Sequence, residues 1–101
     1  MIKSFKLGAV NWKVKIDNKR LEDLDALGYC EYEKKLISLP DKYKGATISA
    51  DAMEQTLYHE VVHAILDTMH QYDLSKNEEF VQTFSMFLHQ FEKTKSNSSS
   101  K

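Results

Sequence analysis

The segment from Asp51 to His70 constrains this chain more than any other. Set out at roughly 100° per residue, as 3.6 residues per turn requires, it places Met53, Leu57, Val61 and Ala64 on one flank and Tyr58, Val62, Ile65, Leu66 and Met69 on the next. A helix apolar over well beyond half its circumference belongs in the middle of a fold, with other elements packed on both flanks. The remaining stripe carries His59, His63, Asp67 and His70. Polar groups on such a helix need partners, because removal from water without one is costly. Asp51, with Glu54 three residues later, has the form of a capping box and marks the start of the helix, which is expected to reach about His70.

Everything else must be arranged around that helix. Ile2 to Leu7 and Asn11 to Ile16 read as strands, the second with Trp12, Val14 and Ile16 alternating against Lys13 and Lys15, and Gly8 between them predicts a hairpin. Trp12 is the expected anchor of this sheet. Leu21, Leu24 and Leu27 recur at threes before Gly28, which predicts a short helix capped by that glycine. A second hairpin is predicted over Tyr29 to Leu39, with arms Tyr29–Tyr32 and Leu36–Leu39; Pro40 ends it, and Asp41 to Thr47 is expected to be a loop. Gln71 to Asn77 is a polar connection to a last helix, Glu78 to about Lys93, whose Phe80, Phe84, Phe87 and Phe91 recur at helical spacing and are assigned to the core against the long helix. The fold class is therefore α+β: a small, mainly antiparallel sheet packed on the long helix and the C-terminal helix. One domain is expected over residues 1–94, with a disordered tail over 95–101.

Composition narrows the partners. At 101 residues, 42% hydrophobic and 29% charged, the chain has room for one core. A net charge of -1 provides no basic field for nucleic acid, and no basic stripe is read beyond Lys42 to Lys44 and the lysine-flanked ends. The single cysteine, Cys30, cannot form an internal disulfide and is expected as a small buried apolar residue, which fits a reducing, cytoplasmic compartment. No run of 18 apolar residues occurs, so neither a signal peptide nor a membrane span is expected, and the protein reads as soluble.

The chemistry lies in His59-Glu60-Val61-Val62-His63, an H-E-x-x-H on the long helix. Side chains at i and i+4 share a face roughly 6 Å apart, so both imidazoles can reach one zinc ion at about 2.0–2.1 Å. Zinc lowers the pKa of water to about 7 and polarises a carbonyl, while Glu60 is placed to take a proton from that water and pass it to a leaving amine. A third ligand has to come from another element. His70 lies about 10 Å further along a continuous helix, with no glycine between it and His63 to turn the chain back, and is expected at the surface or behind the ligands. Glu78 and Glu79 open the last helix 15 and 16 residues after His63, far enough for an antiparallel return past the metal, and either can serve. His89 is a weaker candidate, read as exposed or packed, and Asp67 is placed one turn after His63 to accept a hydrogen bond from its ring.

These residues resemble the small H-E-x-x-H zincins of the ImmA/IrrE type and the minimal metallopeptidase-like proteins of phages and prophages. The resemblance runs from about Tyr29 to Phe91 and rests on the stretch Leu57 to Leu66 and on Glu78-Glu79-Phe80-Val81-Gln82-Thr83-Phe84-Ser85-Met86-Phe87-Leu88. In that family the second helix reads Glu, two residues, a small or aliphatic residue, two residues, then Phe-Ala and Leu-Leu, which lays the ligand glutamate on Glu78. The resemblance implies a zinc-dependent, gluzincin-like metallopeptidase in the cytoplasm of a phage host. His59, His63 and Glu78 would hold Zn2+, Glu60 would be the general base, and a protein or peptide substrate would add as a strand to a hairpin edge. Set against larger zincins, the sequence is expected to lack the extra N-terminal helix and the specificity subdomain. For an oxyanion-stabilising side chain Tyr58, Tyr72 and Tyr43 are the candidates, with no positional argument among them. The alternative, from a different class, is a metal-stabilised protein-binding module with little or no peptidase activity, which would have no use for Glu60.

Overall fold

The computed structural model of the chain describes residues 1–97; of the tail expected over 95–101, residues 98–101 lie outside the described residues. Strands β1 (Ser4–Leu7) and β2 (Val10–Ile16) form the first hairpin, with Phe5 opposite Trp12. Gly8 takes φ +62°, the left-handed value that a two-residue hairpin loop asks of its first residue. Trp12 and Val14 point inward as expected, but Ile16 at the strand end is exposed.

Helix α1 (Asn18–Leu24) follows, capped by Asp17, whose carboxylate accepts from the Arg20 N–H. It is shorter than the leucine spacing predicts. Asp25 adopts the left-handed conformation at φ 52° and ends it, so Leu21 is buried, Leu24 and Leu27 stay exposed, and Gly28 does not cap the helix.

Strands β3 (Tyr29–Glu31) and β4 (Leu36–Leu39) form the second hairpin, and β4 inserts parallel to β2, with Val14 opposite Ile37. The order β1-β2-β4-β3 makes the sheet mixed, with two antiparallel pairings flanking a parallel one that the α1 crossover permits. It leaves β3 as an edge strand. The segment after Pro40 is not a plain loop: β5 (Lys42–Tyr43) and β6 (Ala46–Thr47) pair around Lys44 and Gly45, both at positive φ.

Helix α2 (Ala50–Thr68) lies in the middle, as its pattern demands. Ser49, rather than Asp51, is its cap, accepting from the Ala52 N–H at 3.1 Å, and Glu54 does not close a capping box because it turns to His89. One flank of α2 sets Leu57 and Ala64 against Trp12, Val14, Ile37 and Leu39 of the sheet. The other sets Val62 and Leu66 against Val81 of α4 (Glu78–Thr94). Each such large side chain contributes about 1.5–3 kcal/mol on burial.

The chain reverses after Thr68 without a glycine. His70 itself takes the left-handed position at φ 60°, its N–H donating to Asp67 O and the Gln71 N–H donating to Leu66 O, a Schellman arrangement. The polar connection then forms a short helix, α3 (Tyr72–Lys76), which its composition does not announce. Asn77 Oδ1 accepts from the Phe80 N–H and caps α4.

The largest departure from the sequence reading concerns the phenylalanines. α4 buries Val81, Ser85 and His89 against α2, whereas Phe84, Phe87 and Phe91 are 49%, 65% and 60% exposed and are not core. Polar pairs set this rotation: Gln82 with His59, Ser85 with Gln55 and His89 with Glu54 turn the adjoining stripe of α4 inward. Among the described residues no helix is long and apolar enough to cross a membrane.

Candidate metal centre

One turn apart on α2, the rings of His59 and His63 lie 5.1 Å from each other, centroid to centroid. Glu78, the first residue of α4, reaches both: its Oε1 is 3.1 Å from His59 Nε2 and its Oε2 is 3.3 Å from His63 Nε2. The three residues offer ligand atoms that all lie within 4.8 Å of one another. Glu79 is not in the group, since it sits a further roughly 100° round α4 from the stripe that faces α2.

The outer nitrogens of both rings are held by neutral oxygens. His59 Nδ1 lies 2.7 Å from Gln82 Oε1, an oxygen that can only accept, and His63 Nδ1 lies 3.0 Å from Ser75 Oγ, which can accept or donate. With both Nδ1 atoms carrying the ring proton, each Nε2 turns a lone pair toward the Glu78 carboxylate. Two imidazole lone pairs and a carboxylate aimed at one point repel unless a cation lies among them. Two nitrogens and an oxygen from three protein residues are the donor set of a zinc site with its fourth position open, so the residues fit the ion. Ser75 stands where Asp67 was expected; it is buried and delivered by α3, while Asp67 lines the neighbouring cleft.

Beside this group, Glu60 is buried, 7% exposed. Burial pushes its carboxyl up to about 7, against the pull of His59 and with the help of Glu78. Gly28 makes that burial feasible: a Cβ there would stand 2.7 Å from Thr56 Cγ2 and 2.9 Å from Glu60 Oε2. The chain can pass this close to α2 only as glycine.

Glu60, His59, His63 and Glu78 line one side of a cleft of about 600 Å³, with Leu27, Tyr29 and Cys30 on the other. The free edge of β3 therefore borders the cleft. Burial pushes the Cys30 thiol up to about 12, away from the thiolate form that binds metal.

The remaining candidates lie elsewhere. His70 stacks on Tyr72 at 5.7 Å, exposed and apart from the ligand group. His89 is packed between Gln55 and Glu54, with Tyr58 against its ring at 5.0 Å. Tyr43 is exposed on the β5–β6 ribbon. Of the tyrosines, Tyr29 lines the cleft, a residue that the sequence reading had placed only in a strand.

Gln82, Ser75 and Gly28 were not anticipated either. Gln82 was within reach, since it lies one turn after Glu78 and shares its face. Gly28 reads in the sequence as a helix cap, and Ser75 carries no local signal, because its position depends on α3.

Set beside known proteins, the chain matches no family model, no curated protein sequence and no solved structure.

Proposed function

We propose that this chain is a zinc-dependent metallopeptidase with a gluzincin-like site on a zincin-like α+β fold. The observation that carries the reading is the convergence of His59 Nε2, His63 Nε2 and the Glu78 carboxylate within 4.8 Å, next to a buried Glu60. His59, His63 and Glu78 would hold the ion, and bound zinc would supply Lewis acidity, lowering the pKa of water to about 7 and polarising a carbonyl.

The rest is the work of the chain's own side chains. Gln82 and Ser75 fix the two rings, so that their Nε2 atoms need no reorganisation to bind. Glu60, buried at the wall of the cleft, takes a proton from water as that water's oxygen bonds to the carbonyl carbon of the peptide, and returns it to the amine nitrogen as the C–N bond breaks. The open edge of β3 receives an extended protein or peptide segment by main-chain hydrogen bonds and lays it across the cleft.

The test begins with metal content on protein purified without added zinc. Wild type is expected to carry about one zinc per chain, His63→Ala and Glu78→Gln to lose it, and Glu79→Gln to keep it. Glu60→Gln should retain zinc and lose about 10²–10⁴-fold in peptide hydrolysis. A wild-type chain that cannot be loaded with zinc overturns the proposal. If zinc binds but wild type and Glu60→Gln are equally inert, the second reading takes over: a metal-stabilised module holding an extended partner on the open β3 edge.

A further inference from the structure

The face that α4 turns to solvent is apolar and unpartnered. Phe80, Phe84, Phe87 and Phe91 follow a 4-3-4 spacing, the seam of a two-helix coiled coil, and Phe80 and Phe84 stack at 5.7 Å. At roughly 100° per residue, Leu88 and Val81 flank the seam on one side and Thr83, Gln90 and Thr94 on the other, so no charge falls within it along the helix. A solvated helix face does not ordinarily carry four phenylalanines without charge between them.

We propose that this face pairs with the same face of a second copy, α4 against α4 in antiparallel orientation about a twofold axis. Three observations select that occupant. The seam is its own complement when reversed, because a twofold axis between Phe84 and Phe87 sets each of them on the other and Phe80 on Phe91. Helix direction is the second: α4 runs 17 residues, and the dipoles of two such helices offset each other in antiparallel pairing but oppose association in parallel pairing.

Area is the third observation. With Phe84, Phe87 and Phe91 at 49%, 65% and 60% exposure, and roughly 200 Å² per phenylalanine, each copy presents about 350 Å² from these rings alone. Two copies with their flanking residues bring the contact to the order of 1,000 Å² that a specific interface needs. The pairing is independent of any metal.

Sedimentation velocity of the full chain over a concentration series, from about 1 to 200 μM with and without chelator, tests it. Wild type is expected to shift from 11.7 kDa to twice that mass within the series, with or without chelator. Phe87→Glu should raise the dissociation constant at least about tenfold while leaving circular dichroism unchanged and, at concentrations where both proteins are monomeric, the melting temperature unchanged, because that ring touches solvent rather than the core. Orientation is read by mixing Thr83→Cys with Gln90→Cys: under oxidation the mixed pair should cross-link in preference to either variant alone. Cys30, half-buried in the cleft wall, is replaced by alanine in both variants so that only the introduced thiols react. A chain that is monomeric throughout the series, or a dimer indifferent to Phe87→Glu, overturns the proposal, as does preferential cross-linking of each variant with itself.

Discussion

α2 and α4 grip each other through two polar clusters that look alike on paper. His59, His63 and Glu78 form one, and Asp51, Glu54 and His89 form the other; in each, the ligand-type atoms lie within 4.8 Å of one another. The difference is in what already satisfies them. In the first, both Nδ1 atoms meet neutral oxygens and both Nε2 atoms face a carboxylate, and among the described residues no lysine or arginine pairs with the group. In the second, the single ring has Gln55 Oε1 at 2.8 Å and Glu54 Oε1 at 3.0 Å, and Lys93 already pairs with Asp51. One cluster leaves lone pairs pointed at a shared space beside a cleft; the other is a clasp that brings its own positive charge. The proposed metal centre is therefore set apart from the clasp less by its residue types than by whether the chain supplies the counter-charge itself.

The sharpest way to break this contrast is zinc-dependent stability. At a thousandfold excess over its dissociation constant, zinc should stabilise the fold by about 4 kcal/mol, which for a chain of this size moves the melting temperature on the order of 20 °C. The shift, read by differential scanning fluorimetry, should vanish in His59→Ala and persist in His89→Gln; the reverse pattern would exchange the roles of the two clusters. Next in size are the orienting oxygens. Gln82→Ala and Ser75→Ala should each weaken zinc binding by about 10–100-fold in calorimetric titration, and unchanged affinity would mean that the rings need no holding.

A smaller effect separates the clusters in metal-free protein. His89→Ala should lower stability to urea by about 1–2 kcal/mol, since it removes a buried ring and its two partly buried hydrogen bonds, while His59→Ala should cost less than about 0.5 kcal/mol. Equal losses would erase the distinction. Smallest is Cys30→Ala, which should leave zinc affinity within about twofold. With the thiol raised from 9.0 to about 12, thiolate is scarce at pH 8 and grows with each pH unit up to that value. Ellman's reagent should accordingly label native Cys30 at pH 8 at least about 100-fold more slowly than the unfolded chain.

What could be read from residues alone was local. Helical pitch puts His59 over His63, gives α2 two apolar flanks and places Glu78 at the head of the next helix, and the alternation of β2 buries Trp12 and Val14. These follow from covalent geometry and short-range periodicity, which the sequence by itself determines. Only the tertiary structure decided which partner each group meets. It delivered Ser75 to His63 through a helical turn that the composition did not announce, ran Gly28 past Glu60 where a cap had been expected, and laid β4 parallel to β2. It also turned the phenylalanine row of α4 away from the core. Periodicity shows that a helix has an apolar face, but what covers that face depends on contacts between residues distant in the chain. Here the polar pairs between α2 and α4 fixed the rotation, and the apolar stripe was left to the solvent side.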